Sequence, residues 1–477
     1  MSIAYCYPKI QHFILFIIAA FCIRAFVFYA YIQYEERYCQ PDSIDYHICA
    51  LCLSHGYGMS RPDNHQPIFW RTPGYPLFLM PFYNYYSKSI DAHFEHHAPA
   101  HRAALLLQII LCSFIPVLVF MLTYTITELL PVAWITSLIV LVHPGFILNS
   151  TFLLTDGLGS FIFIIFLLFF FRSLYRIRST TLMLCFAAFC LGIYTWFRPM
   201  GQFVALFAAL PLLISTEVFK ARVIKIGLFI TLFFITISPW IIRNHRLTGK
   251  LFFCPLFGLY LNAFNAPKII AQTMHIPLKE AHKTLSQAAA RIQIREHEQN
   301  RNSQSPHVIC GELVCLKTAL PVIYEHPFIF IYDWIIEVIK TTFDLYSYQL
   351  VALEHNHFKW DPLIEYLPEK ITSCLWKSKL PTLFRMIAWL EFIFMVFIWL
   401  GIIGGIYLFL LLPVLKNQKY WINIKKYSYM WLISGILIGA VIIQSGGFGY
   451  ARLRLPVEPL IIMLGVTFWW FIYNNKK

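Results

Sequence analysis

Runs of about 20 consecutive apolar residues recur along this chain, and each is long enough to cross a hydrocarbon core of about 30 Å as an α-helix. About ten stand out, at 11–32, 104–126, 131–149, 152–171, 181–197, 200–216, 223–242, 386–413, 428–445 and 455–473. With 58% of 477 residues apolar and only 13% charged, the chain lies well outside the range of soluble domains. It must bury apolar surface in lipid, and the expected fold class is all-α, a polytopic transmembrane helical bundle with external juxtamembrane helices.

The first run is expected to be a retained anchor and not a signal peptide. It is long, contains Arg24, is followed by many further runs and lacks a convincing cleavage site, so it reads as a retained anchor. The stretch 323–350 is an ambiguous eleventh run. Its Asp333, Glu337, Lys340 and Asp344 favour an amphipathic helix lying at the interface over a span. The expected organisation is an N-terminal membrane module at 1–242 with a first external loop at 33–103, a large external loop at 243–385, and C-terminal membrane helices at 386–477. Within the large loop, 278–300 reads as a polar helix.

A formal charge of +14 suggests nucleic acid only until the basic residues are located: they sit in short loops beside the runs, where membrane topology accounts for them. Threading the chain with its N-terminus in the cytoplasm places Arg172, Arg176 and Arg178, then Lys220, Arg222 and Lys225, then Lys416, Lys419, Lys425 and Lys426, and finally Lys476 and Lys477 on the cytoplasmic side. The loop 127–130, with Glu128, is uninformative. An even number of spans returns both termini to the cytoplasm. The twelve cysteines are scattered, without zinc or haem spacing. Cys49 with Cys52, and Cys310 with Cys315, are close enough in sequence to pair in an oxidising compartment, but free thiols are the expectation.

The opposite face then collects Pro41-Asp42-Ser43-Ile44-Asp45-Tyr46-His47, Arg71-Thr72-Pro73-Gly74-Tyr75-Pro76, His143-Pro144, Thr155-Asp156, Trp196-Phe197-Arg198-Pro199, Pro239-Trp240-Ile241-Ile242-Arg243-Asn244 and Tyr450-Ala451-Arg452-Leu453-Arg454-Leu455-Pro456. Each motif alone reads equally well as interfacial punctuation, with Pro and Gly ending helices, Trp and Tyr at headgroups and Arg seeking phosphate. A charge at membrane depth costs roughly 2.5 to 3.5 kcal/mol, so such groups pair, snorkel or line a wet cavity. Gathered on one face, carboxylates and guanidiniums supply a base and phosphate clamps for a lipid-linked anion.

The segment PDSIDYHICALCLSHGYGMS followed by RTPGYPLFL resembles the first external loop of the GT-C membrane glycosyltransferases, in particular the group of protein mannosyltransferases and lipid A aminoarabinose transferases. LLTDGL at 153–158, WFRPMG at 196–201, SPWIIRN at 238–244, EHPFIF at 325–330 and YARLRLP at 450–456 extend the resemblance in order along most of the chain. It implies transfer of a sugar from a polyprenyl-phosphate donor to a lipid, glycan or protein acceptor. It also implies the non-cytoplasmic face of a membrane, here the periplasmic face of a bacterial inner membrane. The partners implied are that donor, that acceptor and membrane lipids, with no nucleic acid and no cofactor. The sequence agrees in lacking a P-loop and any GxGxxG between strand and helix.

A glycosyl phosphate carries a good leaving group, so one base and a few cations suffice, unlike the two carboxyl groups of glycoside hydrolases. Asp42 matches the family's first-loop Asp and shares a helix face with Tyr46 and Ala50 at i+4 and i+8. Asp45 is the runner-up, and a helix N-cap after Pro41 is the plain alternative for Asp42. Arg71 and Arg243 are expected to clamp the lipid phosphate, headgroup snorkelling being the alternative. Tyr46 and Tyr75 join them as candidate substrate-binding residues. Asp156 is expected to orient the acceptor or the catalytic loop, or to serve a helix start. Arg198, Arg452 and Arg454 are weaker donor-binding candidates, of which Arg454 is retained. His93, His97 and His101 would align on one helical face in a metal-binding spacing, yet the resemblance implies no ligand there and none is assigned.

Two other classes remain. A transporter or flippase of lipid-linked sugars would favour inverted repeats and broken, polar midplane helices, neither of which the sequence displays. A glycan polymerase shares the membrane context and differs in adding many sugars.

Overall fold

In this computed structural model, residues 9–87, 93–175, 180–214, 218–301, 308–347, 349, 382–411, 422–445 and 449–474 are described. Arg176, Arg178, Lys416, Lys419, Lys476 and Lys477 lie outside them, as do positions 348 and 350 of the ambiguous run, positions 351–381 of the large loop and the side chains of Lys425 and Lys426. The described chain is helical, and its one β-contact is an isolated bridge between Ser60 and Pro67. In lipid a helix satisfies its own backbone, so helices are the natural solution for these apolar runs.

The helices are α1 (Ile10–Val27), α2 (Pro41–Ser54), α3 (Gly74–Tyr86), α4 (Ala98–Cys112), α5 (Ile115–Thr127), α6 (Leu130–Val142), α7 (Pro144–Thr151), α8 (Thr155–Tyr175), α9 (Thr180–Phe197), α10 (Gly201–Leu213) and α11 (Phe219–Thr248). They continue with α12 (Leu256–Tyr260), α13 (Ala266–Met274), α14 (Leu278–Arg301), α15 (Gly311–Glu325), α16 (Pro327–Phe343), α17 (Thr382–Gly405), α18 (Ile422–Ile442) and α19 (Glu458–Asn474). Among the described residues, eight segments are long and apolar enough to cross a membrane, or ten if each of two bent pairs counts as one span. The protein is an integral membrane protein.

Those eight correspond to eight of the ten expected runs. The run at 131–149 is instead the bent pair α6 and α7, which meet at 46° where Pro144 interrupts the helix. The run at 200–216 forms only the 13 residues of α10, about 20 Å at 1.5 Å per residue and shorter than a full span. Gly201 lies next to the Arg198 turn, while the Leu213 carbonyl accepts a hydrogen bond from Arg222 Nη1 at 2.9 Å. At that same end Lys225 Nζ reaches Thr180 Oγ1 at 3.2 Å, and Tyr175 packs on Tyr429.

The ambiguous run is a corner. α15 and α16 meet at 109° at His326–Pro327. α16 buries Asp333, Glu337 and Thr341 and exposes Phe328, Ile331, Tyr332, Ile335 and Ile339, an amphipathic helix with its apolar side outward, as suits a membrane interface. The polar stretch expected at 278–300 is α14. The ten described cysteines are free thiols.

Close backbone approaches set the packing of the first loop. The Thr72 hydroxyl donates to the Phe197 carbonyl at 3.0 Å, and a Cβ on Gly74 would lie 2.6 Å from the Trp196 carbonyl oxygen. Thus RTPGYP is seated on WFRP, and glycine is required because backbone, not a flexible side chain, occupies the space. Gly74→Ala is expected to cost about 1–3 kcal/mol, read as a lower thermal midpoint of the purified protein. In a labelling experiment with a membrane-impermeant thiol reagent, cysteines at the exposed positions Asp63 and Arg246 should react from one side and a cysteine at the exposed Lys220 from the other. Labelling of all three from one side contradicts the arrangement.

Candidate functional site

The site begins with the start of α2. Pro41 occupies the first helical turn, Gln40 is the N-cap, and the Ser43 hydroxyl accepts from the Gln40 N–H at 2.9 Å and donates to the Leu153 carbonyl at 2.8 Å. Asp42 is therefore not the cap. Its carboxylate points instead at two guanidiniums: Oδ1 is 2.8 Å from Arg71 Nη2 and Oδ2 is 2.9 Å from Arg452 Nη2.

Arg71 is also held by Asp45, whose Oδ2 lies 2.8 Å from the same Nη2. Arg71 Nε donates to Asp45 Oδ2 at 2.9 Å, and Trp70 Nε1 donates to the same oxygen at 3.2 Å. The Arg71 guanidinium also lies 5.1 Å from the Tyr46 ring centroid, a cation–π distance. Tyr46 is buried against Tyr75 at a centroid separation of 5.2 Å, and the Tyr75 hydroxyl donates to Gln108 Oε1 at 2.9 Å. Asp42, Tyr46 and Ala50 do share one face of α2, with Tyr46 and Ala50 buried.

Arg452 comes from a short strap, residues 449–458, which is pinned to α16 and the residues after it. The Gly449 N–H donates to Glu337 at 2.7 Å and the Ala451 N–H to Asp344 at 3.1 Å. Arg454 contributes most: Nη1 donates to the carbonyls of Thr341, Thr342 and Asp344 at 2.8–3.1 Å, and Nε donates to Glu458 at 2.8 Å. Tyr346 and His143 complete that cluster around Glu458, at 3.0 and 3.7 Å. Two residues apart in a tight turn, Arg452 faces Asp42 while Arg454 faces the scaffold.

A second ion pair lies alongside. Asp156, in the first turn of α8, pairs with Arg198, and Asp156 in turn bears electrostatically on Arg452. Tyr46 lies close to Thr155, the residue before Asp156. The site thus gathers Asp42, Asp45 and Asp156 with Arg71, Arg198 and Arg452, equal numbers of carboxylates and guanidiniums. Tyr260, at the end of α12, bears on Asp42, Arg71, Arg452 and Tyr46. Nothing in the sequence marks it as a member, since it is one of 27 tyrosines.

Arg243 is at the same end of the bundle but not in contact with Asp42. It donates to the Met59 carbonyl at 3.1 Å and the Ile68 carbonyl at 3.3 Å, and stacks on Trp240 at 4.5 Å, so it fastens the hairpin of the first loop. The three histidines of the metal-like spacing do not share a helix: His93 precedes a 3₁₀ turn, Phe94–His97, that leads into α4. His101 is buried with His47 against the Tyr83 hydroxyl, at 2.7 and 2.5 Å, and His97 meets Ser87 at 2.6 Å. Among the described residues no group of three His, Cys, Asp or Glu side chains has metal-binding geometry.

Burial alone would raise the Asp42 pKa, but the positive charges of Arg452 and Arg71 outweigh it and hold the carboxyl well below the usual carboxylate range. Both arginines are correspondingly fixed in the charged form. The site remains open to solvent. The side chains of Asp42 and Asp45 are 26% and 32% exposed, and those of Arg71 and Arg452 are 13% and 19% exposed. The Arg454–Glu458 pair, at 3% and 8%, is closed.

No protein-family model matches the chain, and neither does any curated protein. Solved structures do share its fold. The archaeal oligosaccharyltransferase AglB from Archaeoglobus fulgidus, in complex with an inhibitory peptide and a dolichol-phosphate, superposes with a TM-score of 0.53 at 13% identity, over 98% of this chain and 51% of that one. The apo form of the A. fulgidus enzyme gives 0.53 at 11% identity, over 100% and 52%. ArnT from Cupriavidus metallidurans, bound to undecaprenyl phosphate, gives only 0.40 at 13% identity, over 94% and 78%, too distant to carry weight. The chain thus shares the polytopic all-α fold of the oligosaccharyltransferase, as the apolar runs led us to expect, and spans about half the length of that enzyme.

The two arginines of the strap should separate cleanly by experiment. Arg454→Met leaves Glu458 buried without its cation and is expected to cost about 3–5 kcal/mol, lowering the thermal midpoint, with partial recovery in Arg454→Met/Glu458→Gln. Arg452→Gln leaves Asp42 still paired to Arg71 and should cost about 1 kcal/mol or less.

Proposed function

We propose that this protein is a glycosyltransferase that moves a sugar from a polyprenyl-phosphate donor to a lipid, glycan or protein acceptor on the non-cytoplasmic face of a bacterial cytoplasmic membrane. The observation that carries this reading is the Asp42 carboxylate set between the Arg71 and Arg452 guanidiniums, partly exposed at one end of a bundle that shares the oligosaccharyltransferase fold. A donor anchored in the bilayer by its polyprenyl chain would present its phosphate at that level.

Asp42 acts as the base. It takes the proton of the acceptor hydroxyl as the acceptor oxygen bonds to the anomeric carbon. The bond from that carbon to the phosphate oxygen breaks, and its electron pair leaves with polyprenyl phosphate. The donor phosphodiester starts with one negative charge and leaves with two, and Arg71 and Arg452 stabilise the added charge through their planar donor forks. A single displacement inverts the anomeric carbon. Asp45 and Trp70 orient Arg71, Tyr46 and Tyr75 form the wall behind it, and the Asp156–Arg198 pair supports the side from which Arg452 enters. Arg454 acts by seating the strap, and Arg243 by fastening the first-loop hairpin.

Asp42→Asn is expected to lower transfer about 10²- to 10⁴-fold while expression and donor binding persist. The assay is release of polyprenyl phosphate from a glycosylated donor when acceptor is supplied to purified protein. Near-wild-type turnover removes Asp42 as the base. Lipid movement across vesicles without any sugar transfer favours a transporter, and products of many repeats favour a polymerase.

A further inference from the structure

We infer that Arg71 and Arg452 serve the Asp42 carboxylate and the donor phosphate in turn, so that Asp42 is masked while both guanidiniums hold it and becomes a working base only when a lipid phosphate draws them away. This deepens the transferase reading above and rests on it for the identity of the anion.

The geometry carries the inference through three features. Both oxygens of Asp42 accept guanidinium N–H groups at 2.8 and 2.9 Å, so each oxygen already has a lone pair engaged by a cation. Next, the two arginines are anchored independently of Asp42. Arg71 keeps Asp45 through Nε and Nη2, at 2.9 and 2.8 Å, with Asp45 further fixed by Trp70, so only the Nη2 contact to Asp42 has to change partner. Arg452 rides on a strap whose flanking Ala451 and Arg454 are bonded to Asp344 and Glu458, so its side chain can exchange anions without the backbone letting go. Finally, Asp42 is the more accessible carboxylate, its side chain 26% exposed, whereas Asp156 and the Arg454–Glu458 pair are buried.

A phosphodiester offers guanidiniums the same kind of charge-assisted hydrogen bond as a carboxylate. Exchange therefore conserves the number of ion contacts made by each arginine, while Asp42 loses two. The charged and titratable groups facing Asp42 are Arg71, Arg452, Tyr46 and Tyr260, with Asp45 behind Arg71 and Asp156 behind Arg452. Losing both guanidiniums, and gaining a phosphate charge nearby, makes the carboxylate more basic. Binding of the diester must then take up a proton under mildly acidic conditions.

The test uses the whole wild-type protein in detergent and farnesyl methyl phosphodiester as the probe, a single-charged diester with no sugar to transfer. Calorimetric titration at about pH 4.5 in two buffers of different ionisation enthalpy should show uptake of about a fifth of a proton per site or more, the share expected of a carboxyl returned to its ordinary pKa of about 3.9. The uptake should vanish at about pH 8 and in Asp42→Asn, which should bind the diester about tenfold more tightly; that gain should disappear in Asp42→Asn/Arg452→Gln. An infrared difference spectrum of the wild type alone should show a protonated-carboxyl band on binding under the same acidic conditions, a readout that does not depend on any variant folding. Binding without proton uptake, uptake that persists in Asp42→Asn, or no binding of the diester overturns the inference. Because the probe cannot be turned over, the outcomes remain separate: proton uptake with no sugar transfer from any donor leaves the exchange standing and removes the transferase reading, and transfer without uptake does the reverse.

Discussion

Asp42 and Arg452 are 410 residues apart in sequence and 2.9 Å apart in space, and with Arg71 they join the start of α2, the RTPGYP segment and the C-terminal strap at one point. A charged group at the edge of a bilayer is stable only when paired, hydrated or both. Three carboxylates and three guanidiniums drawn from five stretches of chain satisfy one another here, and the fold around them reads as the means of bringing those stretches together. The same pairing that makes the cluster tolerable at the membrane makes it reactive toward an anion, since each arginine accepts phosphate on the same terms as carboxylate.

The scaffold achieves this through close backbone approaches together with side-chain anchors on the strap. Gly74 permits the first loop to lie on the Trp196 carbonyl, and Gly449 permits the strap to lie on α16, where a Cβ would fall 2.5 Å from the Glu337 carbonyl oxygen. Arg454, Glu458, Tyr346 and His143 form a buried polar network behind the strap. Buried networks of this kind specify one arrangement because a half-satisfied alternative is costly. α16, with its acidic side turned toward Lys268 at 2.8 Å and the strap, and its apolar side outward, ties the large loop to the site.

The class of fold follows from the amino-acid sequence alone. Apolar runs of span length leave a chain few choices in lipid, and the order of RTPGYP, TDGL, WFRP, SPWIIRN and YARLRLP was enough to suggest a shared end of the bundle and Asp42 as its centre. The charges of 332–344 also suggested that α16 would not be a simple span. Partners were beyond such a reading. Arg452 and Arg454 are equivalent by type and nearly adjacent, and only the turn geometry and the position of α16 decided that the first meets Asp42 while the second is consumed by carbonyls. Arg243 and Arg71 likewise looked alike as clamps, yet one holds a hairpin and the other a carboxylate. Tyr260 carried no local signal at all. Hydropathy is a property of a segment and survives reading one residue at a time; the choice of an ion-pair partner depends on which side chains from distant segments arrive within about 3 Å, and that is settled only when the helices pack.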